Sequence, residues 1–277
     1  MLKRIVDVFL FSGFYISICA VLMSGQTFQL LNLSYQPAYY WFVFFSTVAS
    51  YNFHWYLTPA HTLPSRNLGR INDLKTLHLL LTLGGLLGSI VFFFALWSHA
   101  HWILIGAFFT FLYSAPKLPI QASAFLRRIA IGKTIYLSFV WTYVTTVMPL
   151  LMAGKPWTEK DLLFTGSRFF LIYAICVLFD YRDREQDRKE GIRSMITWFN
   201  EKGINTIFYL SMFLFLICLY LLYVNTFSLL ISGILVLPGL LLLFLYPSAK
   251  KNASDYFYLF VLDGLMMLSS LITYLIL

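Results

Sequence analysis

Asp180, Asp183 and Asp187 stand in the stretch "DYRDREQDRKEGIRSM", the one dense charge cluster in a chain otherwise built from apolar and aromatic residues. On an α-helix the positions i, i+3 and i+7 fall within roughly a 60° arc, so the three carboxylates would share one face. Like charges that close raise one another's pKa unless a cation lies between them. A small divalent cation with a preference for oxygen ligands meets that need, and Mg2+ is the natural candidate. The simpler reading is a solvated helix end, with Arg184 one turn from Asp180 and Arg188 beyond it as cationic partners.

The elements that must position these carboxylates are membrane helices. The chain has 277 residues, 60% hydrophobic, 19% aromatic and only 12% charged, too little polar material to cover a water-soluble domain. A spanning helix needs ~20 mostly apolar residues. The apolar runs predict nine spans, near 5–24, 38–58, 76–97, 100–115, 129–152, 162–181, 204–224, 227–246 and 256–277, with the third and fourth meeting at "SHAH". With the N-terminus in the cytoplasm, the inner side takes nearly all the positive charge. Only Lys155, Lys160 and Arg168 of the 20 Lys and Arg residues fall outside. The net charge of +8 is therefore explained by topology and calls for no nucleic acid. The expectation is an all-α membrane protein, one polytopic transmembrane domain over residues 1–277, as a bundle of nine transmembrane helices. The expected location is a multi-pass position in a bacterial cytoplasmic membrane.

Other polar residues are sparse enough to weigh singly. The three cysteines, Cys19, Cys176 and Cys218, all lie within apolar runs and read as small core residues. Asn52, with Tyr56 one turn on, sits in an apolar helix, which marks it either as functional or as interhelical hydrogen-bonding glue. His54 and His61 are not at a convincing metal-ligand spacing and read as hydrogen-bonded or interfacial histidines. Gly84, Gly85 and Gly88 supply a Gly-x-x-x-Gly pair, which predicts close approach of a neighbouring helix. The inner segment "LYSAPKLPIQASAFLRRIAIGK" collects Tyr113, Ser114, Lys117, Arg127, Arg128 and Lys133. "AGKPWTEKDL" reads as a plain outer connector, and the uncharged stretch from Gly25 to Pro37 as an outer loop. Asp263, beside Gly264 in the last span, is expected to pair or to face a cavity.

With these residues in hand, the chain resembles the UbiA superfamily of intramembrane prenyltransferases over nearly its whole length. The resemblance implies a nine-helix bundle around a lipid-accessible cavity, with aspartate-rich motifs on the cytoplasmic ends of helices two and six. The second motif, D-x-x-D-x-x-x-D followed by x-x-x-G, is matched by Asp180, Asp183, Asp187 and Gly191. Tyr113, Ser114 and Lys117 are similar to the family's tyrosine-serine and lysine after helix four. The first motif, N-D-x-x-D-x-x-x-D, keeps its Asn at Asn52 but has Phe53, Tyr56 and Ala60 in place of the aspartates. Arg66 lies near the position of a diphosphate-binding arginine.

The function implied is transfer of an isoprenyl group from a prenyl diphosphate to an aromatic or other lipophilic acceptor, within membrane lipid. Asp180, Asp183 and Asp187 would hold Mg2+ on the diphosphate, while Arg66, Lys117, Arg127 and Arg128 neutralise the leaving group. Asn52, Lys117 and Tyr113 are the candidate catalytic groups. Tyr51, Trp55, Tyr56, Trp141 and Tyr173 are candidate cavity aromatics that would face an allylic cation. The alternative is a catalytically impaired member that binds an isoprenoid or quinone-like lipid without turnover. A transporter would want more mid-membrane ionisable groups than Asp263 and Asp7. A phosphatidyl-alcohol transferase would need an upstream D-G-x-x-A-R. The one "DG" here lies downstream, with Met266 and Met267 where Ala and Arg belong.

Overall fold

The computed structural model describes residues 2–58, 68–114, 132–189, 195–252 and 254–276, and among them there is helix and no strand. The helices are α1 (Leu2–Phe11), α2 (Phe14–Leu30), α3 (Pro37–Leu57), α4 (Leu68–Ala95), α5 (Ala100–Ser114) and α6 (Lys133–Ala153). They continue with α7 (Glu159–Lys189), α8 (Glu201–Asn225), α9 (Leu229–Ala249) and α10 (Phe257–Ile276). Six of them are long and apolar enough to cross a membrane: the Lys75–Ala95 part of α4, α6, the Glu159–Glu185 part of α7, α8, α9 and α10. α2 is apolar but shorter. The protein is thus an integral membrane protein, since every long apolar segment satisfies its backbone internally as a helix.

The boundaries follow the apolar runs closely except at the start, at the beginning of α4, which precedes its run by eight residues, and at the end of α7, which outlasts its run by eight. Residues 5–24 do not form one span: Gly13, at φ +76°, breaks the run into α1 and α2. Gly25 is not in a loop either, because α2 continues to Leu30 and the connection to α3 is only residues 31–36. The "SHAH" boundary is a 3-10 turn, Trp97–His99.

By contact the chain forms two compact units. The first comprises residues 1–21 and 36–127 and contains the packed pair α3 and α4. Gly85 is the residue that allows the approach: a Cβ there would lie 2.8 Å from the Ala49 nitrogen and 2.8 Å from the Phe45 carbonyl oxygen. Gly88 lies against the Phe45 ring, whereas Gly84 meets nothing within 4 Å. The contact pair is therefore Gly85 and Gly88, not the Gly-x-x-x-Gly pair of Gly84 and Gly88, because residues three apart share the face turned to α3.

The second unit comprises residues 22–35 and 128–277 and is built around α7. This helix of 31 residues, about 46 Å long, packs against α6, α8, α9 and α10. Ile172, Ala174, Ile175, Val177 and Leu178 are all essentially inaccessible, so α7 is buried on every side at its middle. Its start is capped by a polar box that a plain connector would not contain. Asp161 accepts from the Thr158 backbone nitrogen (2.9 Å) and hydroxyl (2.8 Å), and pairs with Lys155 at 3.1 Å. Two stretches in this unit are π-helical, Tyr143–Val147 within α6 and Phe257–Leu262 at the start of α10.

Candidate functional site

The acidic end of α7 carries the three aspartates on one side of an unbroken helix, as the spacing predicts. Asp180 and Asp187 are each only 6% exposed, so these are not solvated charges on a free helix end. Thr134 at the start of α6 donates a hydroxyl hydrogen bond to Asp180, and Lys133 stands 3.7 Å from the same carboxylate. Asp183 is more open and is held through its backbone neighbour: Arg182 donates from Nε at 2.8 Å and from Nη2 at 3.4 Å. The same guanidinium reaches Asp255 at 3.5 Å and lies over the rings of Tyr258 (4.6 Å) and Phe179 (5.4 Å). Burial pushes the Asp255 carboxyl above the ordinary aspartate range, with Arg182 pulling the other way.

The arginines expected to serve the aspartates are engaged elsewhere. Arg184 donates to Glu201 at 2.8 Å, and Arg188 to Glu185 at 3.2 Å. Glu201 also accepts from Lys250 (2.7 Å) and Tyr181 (3.1 Å), which fastens the ends of α7, α8 and α9 together beside the acidic face. Among the described residues no three His, Cys, Asp or Glu side chains group so as to hold a metal ion by themselves. The donor set is one of hard oxygens on successive turns of one helix. It suits a small cation that takes one or two carboxylates and completes its shell with water and phosphate oxygens.

The other candidate residues divide by unit. In the first, Asn52 is wholly buried and its amide is committed within the protein. It donates to the Ser12 carbonyl (2.6 Å) and the Val48 carbonyl (2.8 Å), and its oxygen faces His78 Nδ1 at 2.7 Å. Asn52 therefore caps the carbonyl released by the break at Gly13. His78, a lone histidine in an apolar helix, was not singled out from sequence. Tyr113, near the end of α5, stacks on His54 with ring centroids 5.2 Å apart. Tyr51 and Trp55 are partly exposed, and Tyr56 is exposed. In the second unit Trp141 is buried and Tyr173, half-buried, stacks on Phe169 at 6.0 Å. Arg66, Lys117, Arg127, Arg128 and Gly191 lie outside the described residues.

The largest omission from the sequence reading is Arg168. Counted there as an outer-side charge, it lies inside α7 and is 7% exposed. Its Nη1 donates to the Met23 carbonyl (2.6 Å), the Thr27 hydroxyl (2.9 Å), the Thr145 carbonyl (3.3 Å) and the Thr146 hydroxyl (3.3 Å). Its Nη2 donates to Gln26 Oε1 at 2.6 Å, and Gln26 passes the network to α10 through Thr273 (2.9 Å) and Ser270 (3.0 Å). Thr145 and Thr146 sit in the π-helical stretch of α6, whose altered backbone register turns the Thr145 carbonyl toward Arg168 and Thr27. The sequence signal was a single arginine in mid-span, which membrane energetics marks as exceptional.

No curated protein and no solved structure gives a match to the chain. A family match does exist, and it covers residues 57–262, a span that includes the whole D-x-x-D-x-x-x-D motif and most of the membrane helices. An all-helical membrane protein with that motif at the end of its central helix, matched over most of its length, belongs to the UbiA prenyltransferase family.

Proposed function

We propose that the protein transfers an isoprenyl group from a prenyl diphosphate to an aromatic or other lipophilic acceptor. The observation that carries this reading is the one-sided set Asp180, Asp183 and Asp187 at the end of α7, the first and last of them buried, inside the region matched to the family. The full reading is a single domain of nine spans with the N-terminus in the cytoplasm, the side to which the positive charges point. Mg2+, when bound, would neutralise charge on the diphosphate and help it leave. Asp180, Asp183 and Asp187 are the residues that would hold it together with the diphosphate oxygens.

The chain's own cations would complete the work. Lys133, beside Asp180, adds positive charge that the sequence reading had not assigned to the diphosphate. Lys117, Arg66, Arg127 and Arg128 are assigned to the same anion and Tyr113 to orientation of substrate, while Asn52, engaged by Ser12, Val48 and His78, fits the reading of interhelical hydrogen-bonding glue. Departure of diphosphate breaks its bond to the prenyl carbon and leaves an allylic cation. Aromatic faces such as Trp141 and Tyr173 would stabilise that cation and exclude water.

A second reading, an impaired member that binds an isoprenoid or quinone-like lipid without turnover, is favoured by one specific observation. Phe53, Tyr56 and Ala60 stand where the first motif would place carboxylates. The two readings separate on metal dependence and product. Calorimetric titration of the purified protein with farnesyl diphosphate, with and without Mg2+, should show reciprocal coupling of ~1 to 3 kcal/mol. Lipid mass spectrometry of cells with and without the gene should then show one prenylated product that disappears. Equal affinity in both titrations would end the prenyl diphosphate reading, and coupling without any product would support the lipid-binding one.

A further inference from the structure

The last helix carries a carboxylate, Asp263, for which the described residues supply no partner. Asp263 is 7% exposed, and among the described residues it makes neither a hydrogen bond nor an ion pair. Arg182, the cation that acts on it, lies beyond ion-pair distance and is engaged by Asp183 and Asp255. Arg168, another buried ionisable group in a span of this unit, has its charged nitrogens surrounded by protein acceptors. Asp263 has no such surround. A buried ionisable group within a span is costly, and it persists where it has work to do. It also stands at the point where the π-helical stretch Phe257–Leu262 passes into α-helix, and such bulges are frequent at functional sites.

Its depth follows from the contacts between α10 and α7, which run antiparallel. Asp255 meets Arg182 at 3.5 Å, and the Tyr258 ring meets the Phe179 ring at 5.1 Å. Five residues on from Tyr258, Asp263 comes level with Ala174 on the same antiparallel register. Ala174 precedes Asp180 by six residues, about 9 Å along the helix. Asp263 is therefore placed between one and two turns to the membrane side of Asp180. A prenyl diphosphate held at Asp180 and Asp183 with its chain directed into the membrane would run its prenyl carbons toward that level. Residue 263 also lies just past the matched residues 57–262, so the family match does not reach it.

We propose that Asp263 takes the proton that the acceptor loses when it captures the prenyl group. The inference rests on the prenyl-transfer reading and adds a catalytic residue to it. The bond from diphosphate oxygen to prenyl carbon breaks, and its electron pair leaves with the diphosphate. A pair from the acceptor forms the new bond to that carbon. The acceptor's proton goes to the Asp263 carboxylate, which returns it to solvent before the next turnover. A carboxylate with no donor among the described residues is suited to this, since none of them competes for its lone pairs.

The test compares the full-length wild type, Asp263→Asn and Asp263→Glu. The gene-dependent prenylated lipid is measured in cells by mass spectrometry, normalised to protein, and farnesyl diphosphate affinity with Mg2+ is measured on the purified proteins. Asp263→Asn should lower the product about 100-fold, the lower range for loss of a general base, and leave affinity within about threefold. Asp263→Glu, which keeps the proton acceptor, should recover the product to within about tenfold of wild type. Undiminished product from Asp263→Asn overturns the proposal. So does a parallel loss of affinity, which would make Asp263 part of diphosphate binding or of folding instead. A wild type that yields no gene-dependent product refutes the transfer reading itself, and the role of Asp263 with it.

Discussion

The second unit contains two polar regions of opposite construction, the node around Arg168 and the acidic end of α7. Around Arg168 the terminal nitrogens are met by carbonyl, hydroxyl and amide oxygens from α2 and α6, and Gln26 extends the set to α10. The charge is balanced by neutral dipoles with no carboxylate near it among the described hydrogen bonds and ion pairs. At the acidic end, among the described residues, Asp180 accepts from Thr134 and has Lys133 at 3.7 Å, and Asp183 accepts from Arg182, although each carboxylate can accept about four hydrogen bonds. One region is closed by the protein and holds helices in register. The other keeps acceptor capacity for something the protein does not supply. In a membrane, where water cannot fill the difference, that distinction separates a fastening from a binding site.

The comparison can be broken first at its closed member. Arg168→Met should destabilise the protein by about 2 to 4 kcal/mol, because several acceptors lose a charged donor while the cost of burying the cation is relieved. Denaturation in mixed detergent micelles measures it, and an unchanged midpoint would show that apolar packing, not the polar node, holds these helices. At the open member the expectation inverts. Asp183→Asn should leave stability within about 0.5 kcal/mol, since only the partly exposed Arg182 contact changes. The same variant should abolish most of the ~1 to 3 kcal/mol coupling between Mg2+ and farnesyl diphosphate in calorimetry. A stability loss equal to that of Arg168→Met would erase the distinction between the two regions.

Smaller effects sharpen it. Gln26→Leu removes one acceptor of Arg168 and the donor to Thr273, with the rest of the node intact. A loss of about 1 to 2 kcal/mol in the same denaturation assay is expected, in line with modest hydrogen-bond contributions between membrane helices. Glu201→Gln should cost only about 0.5 kcal/mol, and less at high salt, because its contacts with Arg184 and Lys250 are exposed and screened. A salt-independent effect on the scale of Gln26→Leu would place Glu201 with the buried node.

Much of this was legible in the order of residues. The bilayer fixes how long an apolar segment must be, so the ends of α3, α6, α8, α9 and α10 fell within a few residues of the hydropathy breaks, while α7 runs on eight residues past its predicted end to Lys189. The helical period alone put Asp180, Asp183 and Asp187 on one face. The partners of those residues were not legible, because they arrive from distant parts of the chain. Thr134 reaches Asp180, and His78 reaches Asn52, only after helices pack.

Tertiary structure also decided matters on which local pattern gives a definite but different answer. Gly84 and Gly88 have the familiar spacing, yet the rotation of α4 against α3 turned Gly85 into the contact. Gly13 sits in an uninterrupted apolar run, and its positive φ becomes visible only as a backbone angle. Arg168 reads by count as one more topological charge, and Asp263 as one more buried acid to be paired. What each became depended on whether neighbouring helices brought oxygens to it. Periodicity and segment length are local properties that a sequence carries by itself. The satisfaction of a buried charge is a property of several segments at once, so it is set only when they meet.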